Sequence, residues 1–367
     1  MANRYSLLEA TVLYEHQQMI KSTSPDKKKK ETEPLKAKRK KQRYLRNEPA
    51  YNAHQENEFI FFITSLPFIV FNALLKAGLK LNKLNFQRYL IAHICLAIKD
   101  YFGMSLRRSI GLINFIFWAM KWKAEIPCFK TLNNYSMNQE CSTIQENILE
   151  FTVQPLVYVE THFNIDSTND SLFTSSSWYD YRISQKRKKK DHLKEHITST
   201  AKYNAVVAVD ISPRGDAKFT RSHIEKIKKQ GFEIKDMCGD KAYLTRDGCN
   251  AVREAGGKAH FKIKSNTITN AKGSKEWKRT VTAQKNEDPE EIDTYNLRQN
   301  AESTNHAKKS KFGSVIRSKL DSTKRSEAMG KWCVYNVTAI CRAYYDDVID
   351  FQFVESNIHI DRMLTYT

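Results

Sequence analysis

Tyr295-Asn-Leu-Arg298-Gln-Asn-Ala-Glu302-Ser-Thr-Asn-His306-Ala-Lys-Lys309 is the stretch on which the reading of this chain turns. At 100° per residue, Tyr295, Arg298, Glu302, His306 and Lys309 fall within an arc of about 80° on a helix. One face then carries an aromatic ring, a guanidinium, a carboxylate, an imidazole and an ammonium. An apolar core rejects such a face, and a solvated helix carries it as an ordinary charged stripe. Type and spacing alone leave both uses open, so the chain upstream has to decide.

Upstream, from about residue 156, the texture is α/β. Tyr158–Ile165 reads as a short strand ending at Asp166, and Trp178–Ile183 as a second. Ala205–Ile211, AVVAVDI, is the clearest strand in the chain. Ser222–Gln230 reads as a helix stopped by Gly231, and Glu233–Cys238 as a strand leading into Gly239-Asp240. Thr245–Ala255 reads as a helix closed by Gly256-Gly257, Ala259–Ile263 as a strand, and the chain from Tyr295 as a long helix. That order predicts a mixed sheet with helices on both faces.

Residues 51–155 differ. LNKLNFQRYLIAHICLAIKDYFG and SLRRSIGLINFIFWAMKWK space their apolar residues helically, with breaks at Gly78, Gly103 and Pro127 and a cap at Ser105. This predicts a small all-helical domain, a candidate for binding DNA ends. The most apolar run, Phe59–Leu75, contains Thr64, Ser65, Pro67 and Asn72 and reads as a buried helix pair broken at Pro67, not as a membrane span. Residues 1–50 carry Lys27–Lys30 and the basic run 36–46 with almost no apolar content, the composition of a flexible arm. Residues 346–367 form a short tail.

The formal charge of +19 attracts polyanions, which include nucleic acid, anionic membranes and acidic proteins. Seven cysteines without a CxxC pair or zinc-like spacing read as buried thiols of a reducing cytosol. The first residues lack the apolar core of a signal peptide.

With these elements in place, the chain resembles the DDE transposases of prokaryotic insertion sequences, in the branch marked by Tyr-x2-Arg-x3-Glu-x6-Lys. Tyr295, Arg298, Glu302 and Lys309 match all four positions. In that family the first Asp follows a pattern near I-D-S/G-T, and here Ile165-Asp166-Ser167-Thr168 stands. The second follows D-(K/R)-(A/G)-Y, and here Asp240-Lys241-Ala242-Tyr243 stands. Lys194-Glu195-His196 lies about where relatives carry a basic Lys-x-His segment.

The resemblance implies an RNase H-like catalytic core over residues 156–345. It also implies two Mg²⁺ ions, replaceable by Mn²⁺, on Asp166, Asp240 and Glu302, with Asp166 bridging both. Such a pair, about 3.5–4 Å apart, stabilises the attacking and the leaving oxygen of phosphodiester transfer. Tyr295, Arg298 and Lys309 are then expected on DNA near the scissile phosphate, with His306, Lys194, Arg187 and Lys188 as further contacts. Only 61 residues separate Asp240 from Glu302, so the core is expected to be uninterrupted. The implied partners are double-stranded element ends and target DNA, handled by a homodimer in a prokaryotic cytoplasm at the nucleoid. A binding-only relative and a nuclease that hydrolyses without joining are the alternatives.

Overall fold

The computed structural model describes residues 47–172, 192–270 and 272–349. All of them fall in one unit that begins at Asn47. The expected strand at Trp178–Ile183 lies outside the described residues, as do Arg187, Lys188, residues 1–46 of the basic arm and most of the tail.

Five helices come first: α1 (Glu48–Ala77), α2 (Lys83–Tyr101), α3 (Leu106–Ala119), α4 (Phe129–Met137) and α5 (Gln139–Val153). The expected break at Pro67 does not occur, and α1 runs straight through it. Proline removes one backbone hydrogen bond. Ile63, Leu66, Ile69, Val70 and Leu74 around it are buried, and their packing holds the helix across the gap. Gly78 and Gly103 adopt φ of 60° and 57°, so the expected glycine stops are real. Ser105 precedes α3, but its side chain makes no capping bond. By length and composition α1 would cross a membrane, yet 56% of its apolar window is buried inside the protein. Six cysteines are buried, while Cys128 is exposed at the start of α4, contrary to expectation.

The sheet follows, with β1 (His162–Leu172), β2 (His192–Thr200), β3 (Val206–Ile211), β4 (Asp236–Gly239) and β5 (Lys258–Phe261) in the order β3-β2-β1-β4-β5. The first three are antiparallel neighbours, and β4 and β5 join parallel to β1. Helices α6 (Thr220–Lys229) and α7 (Arg246–Glu254) make the crossovers between β3, β4 and β5. This is the mixed, helix-flanked sheet expected of an RNase H-like core.

Two strands differ from expectation. β1 does not end at Asp166 but continues six residues beyond it. β2, HLKEHITST, was not anticipated, because its polar letters hide its burial. Residues 195–200 are all buried, with partners on both faces.

After α8 (Lys275–Lys285), the expected long terminal helix is divided among three helices, α9 (Pro289–Asn296), α10 (Gln299–Phe312) and α11 (Asp321–Tyr345), with a short strand β6 (Val315–Ile316) between the last two. The chain turns at Leu297-Arg298, so Tyr295 and Glu302 do not share one continuous helix. α11 joins the helical layer to the sheet. Its Trp332 is fully buried, and its Asn336 clamps the edge of β3, accepting from Val206 N–H and donating to Val206 O at 2.8 Å each.

One glycine fixes the approach to the site. A Cβ on Gly239 would lie 2.9 Å from both Ile165 Cγ2 and Phe261 Cδ1, so β4 reaches its last residue only with no side chain there. Gly239→Ala is therefore expected to cost about 1–3 kcal/mol through overpacking. Urea denaturation checks it, and an unchanged midpoint would show that β1 and β5 yield without penalty.

Candidate active site

The register of the two central strands sets the site. Ile165 on β1 pairs with Gly239 on β4, and the strands are parallel, so Asp166 and Asp240 follow side by side. Asp166 lies on the sheet face covered by α10, where Asn305 Nδ2 donates to its Oδ2 at 3.0 Å. Burial raises the Asp166 pKa, and the negative charges of Glu302 and Asp240 raise it further. The Ser167 backbone N–H and the Arg298 guanidinium oppose them. The charges of all three acids are thus felt at one point. Asp240 is half-buried just past β4, where its Oδ1 accepts from the Lys241 N–H at 2.6 Å and its carbonyl from the Tyr243 N–H at 2.9 Å.

Glu302 sits in the first turn of α10 with 62% of its side chain exposed, and its Oε1 accepts from Arg298 Nη1 at 2.8 Å. Burial works against the Arg298 charge, but Tyr295, Asp166 and Glu302 hold its pKa above the ordinary value. Among the described residues its Nε is buried without a hydrogen-bond partner. Tyr295 ends α9 half-buried, with the Lys262 ammonium 5.2 Å above its ring. Burial raises its phenol pKa, and the neighbouring Asp240 and Glu302 charges add to that against Arg298. Despite the turn between α9 and α10, Tyr295, Arg298 and Glu302 therefore converge on the two aspartates.

The remaining expected residues scatter more widely. His306 is exposed and Lys309 half-buried along α10, further from the acids in sequence. Lys194 is on β2, ion-paired to Asp216 at 2.8 Å. His196, beside it, stacks on Phe219 and lies 3.1 Å from the same carboxylate. Both belong to the sheet face opposite Asp166. Asp210, inside the expected strand Ala205–Ile211, is a β3 residue paired with His223 and Lys226 at 3.0 and 2.8 Å.

Sequence reading missed Asn305 as a partner of Asp166, and it missed Lys308 altogether. Asn305 stands three residues after Glu302, on an adjacent part of the helix surface, and that spacing was the available signal. Lys308 is fully buried between Asp170 and Glu195, with which it is ion-paired, and Trp332 Nε1 donates to Glu195 at 2.8 Å. These contacts dock α10 on β1 and β2.

For a metal ion the donor chemistry fits: three oxygen donors, crowded enough in charge to raise one of them, suit a hard divalent cation. The set is open as it stands. Among the described residues no three His, Cys, Asp or Glu side chains converge closely enough to hold an ion, and Glu302 is engaged by Arg298. Arg298 takes only Oε1, and the other oxygen of this exposed carboxylate has no contact with it.

No curated protein and no solved structure matches the chain. Residues 158–337 match the family model described as a transposase DDE domain, a span that runs from just before β1 into α11 and contains every residue of the site. Through this domain the chain belongs to the DDE transposases.

Proposed function

We propose that the protein cuts DNA at the ends of its own element and joins the freed 3′-hydroxyls to a target. The observation that carries this reading is the side-by-side placement of Asp166 and Asp240 at the Ile165–Gly239 register, with α10 bringing Glu302 and Arg298 to them. Asp166, Asp240 and Glu302 would hold the divalent ions, Mg²⁺ or Mn²⁺. When bound, the ions supply charge to the attacking and leaving oxygens of the phosphoryl group.

The chain's own groups do the rest. Arg298, once free of Glu302, offers its fork to a non-bridging phosphate oxygen, and Lys309 adds a point charge further along the backbone. Asn305 holds the Asp166 carboxylate in one orientation. In the first step water attacks phosphorus, one P–O bond forms, and the bond to the 3′-oxygen breaks. In the second step that 3′-hydroxyl attacks a target phosphodiester, with the same balance of bonds. Joining two ends to one target needs two such sites held together, so the working unit is proposed as a dimer on DNA.

A second reading, a relative that binds DNA without cutting it, is favoured by one observation, the engagement of Glu302 by Arg298. One experiment separates the two: incubation of duplex carrying the gene's flanking sequence with Mg²⁺, Mn²⁺, Ca²⁺ or EDTA. Cleavage at the boundary in Mg²⁺ and Mn²⁺, with joined products on adding plasmid, is the expected result. Binding without cleavage in every ion would establish the second reading, and cleavage without joining would identify a nuclease.

A further inference from the structure

Beyond the carboxylates, α10 ends against a basic cleft of about 520 Å³. The cleft opens between the α2–α3 turn, the start of α4 and the segment 317–320 that leads into α11. The α2–α3 turn abuts the end of α10 directly, since a Cβ on Gly103 would lie 3.2 Å from Phe312 O. Arg107, Lys130, Arg317 and Lys319 line the cleft, and all four are exposed. Its one acid, Glu327, is buried and turned into the loop. There it accepts from Arg317 N–H, Ser318 N–H and Ser318 Oγ at 3.0, 2.9 and 2.6 Å.

Two of the four cations are held in place. The Arg107 guanidinium lies 4.3 Å over the Phe129 ring, and Arg317 Nε donates to Gly103 O at 3.0 Å. Neither contact neutralises charge. Lys76, Arg221 and Lys311 are matched to acids, whereas Lys121 and Lys123 are, like the cleft cations, exposed and without an ion pair among the described residues. Among the described residues no carboxylate pairs with any of the four in the cleft. Unmatched cations preset around a groove suit a polyanion.

The position says which polyanion. β6, immediately before Arg317, pairs with Ser171 and Leu172 at the far end of β1 from the catalytic face. Asp166 to Ser171 is five strand residues, so the cleft lies on the order of 20 Å from the carboxylates. That distance corresponds to about six base pairs of duplex at 3.4 Å each. Exposed His306 and half-buried Lys309 lie on α10 between the two.

We propose that this cleft grips the sugar–phosphate backbone of duplex DNA about six base pairs from the phosphate presented to Asp166, Asp240 and Glu302. This rests on the function proposed above. The cleft would set the register of cutting without reading bases.

The test uses the full chain and a fluorescent duplex bearing the gene's flanking sequence, titrated by anisotropy over a range of salt. Lys130→Ala/Lys319→Ala removes two exposed cations whose side chains make no ion pair or hydrogen bond among the described residues, and Arg107→Ala/Arg317→Ala removes the two that are held. Each lost phosphate contact is expected to lower the slope of log K against log salt by about 0.9, so each pair lowers it by nearly two. Hydroxyl-radical protection should vanish in one patch and persist in another about six base pairs away.

Slopes and footprints equal to wild type would overturn the proposal. So would an equal loss in a Lys76→Ala/Arg221→Ala control, which would mean undirected charge. Variants that change only the sedimentation of the DNA-free protein would also overturn it, because the cleft would then join two copies of the chain. Wild type that binds but never cuts leaves these readouts intact and counts against the carboxylate chemistry alone.

Discussion

Glu302→Gln is expected to lower Mg²⁺-dependent cleavage of end DNA by at least about 10³-fold, the kinetic equivalent of roughly 4 kcal/mol of lost transition-state stabilisation. Duplex binding should stay close to wild type, because the substitution removes a negative charge facing a polyanion. Stability should barely move either. The Glu302 side chain is 62% exposed and its only described ion pair is with Arg298, and exposed pairs contribute about 0–1 kcal/mol. A loss of cutting with melting and binding intact is therefore a chemical loss and not a folding one. Asp240→Asn should behave alike, since among the described residues its carboxylate is bonded only locally, to the Lys241 N–H. Asp166→Asn is a weaker test, because burial and the Asn305 contact tie it to the packing of α10. Cleavage that survives Glu302→Gln would remove Glu302 from the site and leave the signature on α10 as a charged stripe.

Legibility in the sequence followed the physics of each segment. Val206–Ile211 was plain because a strand buried on both faces must be apolar, and its letters say so. β2 was invisible for the opposite reason. His196, Thr198 and Glu195 are buried but matched one by one to Asp216, His223 and Lys308, partners that lie far away in sequence. No local pattern records such pairing. Each aspartate stands in a short motif, Asp166 inside β1 and Asp240 just past β4, while their mutual position depends on the Ile165–Gly239 register, which only the sheet supplies. The Tyr295-to-Lys309 segment differs from expectation in shape. A single helix was expected, but a tightened turn at Leu297-Arg298, both still in helical backbone angles, separates α9 from α10, and the Asp166 and Glu302 charges are still felt at Arg298. Pro67 erred the other way, a local breaker overruled by apolar packing on both sides.

Lys308→Met should be the most destabilising single change in the core, by about 3–5 kcal/mol, because it strands two carboxylates in a dry interior. Lys308, Asp170 and Glu195 are all fully buried, and the lysine ammonium also lies 5.0 Å from the Trp332 ring. Burial opposes the Lys308 charge, but the Glu195 and Asp170 carboxylates outweigh it and hold its pKa above the ordinary value. One cation cannot match two anions. Burial and the Asp170 charge accordingly push the Glu195 pKa up to about 7, against the pull of Lys308. A carboxyl raised in the folded state stabilises fully below its unfolded pKa and loses that contribution as pH climbs through the folded one. The Glu195 contribution to stability should therefore decline between about pH 4.5 and 7, while buried His93, whose pKa burial lowers to about 4, contributes in the opposite sense. Glu195→Gln should flatten that slope while leaving an oxygen to accept from Trp332. The triple change Lys308→Met/Asp170→Asn/Glu195→Gln should recover more than half of what Lys308→Met loses, because removing a whole buried ion cluster costs far less than breaking it. Urea titrations across this pH range measure all four proteins. A single variant as stable as wild type, or a triple no better than the single, would mean that water reaches these carboxylates and that α10 is not docked on β1 and β2 through a dry ion cluster.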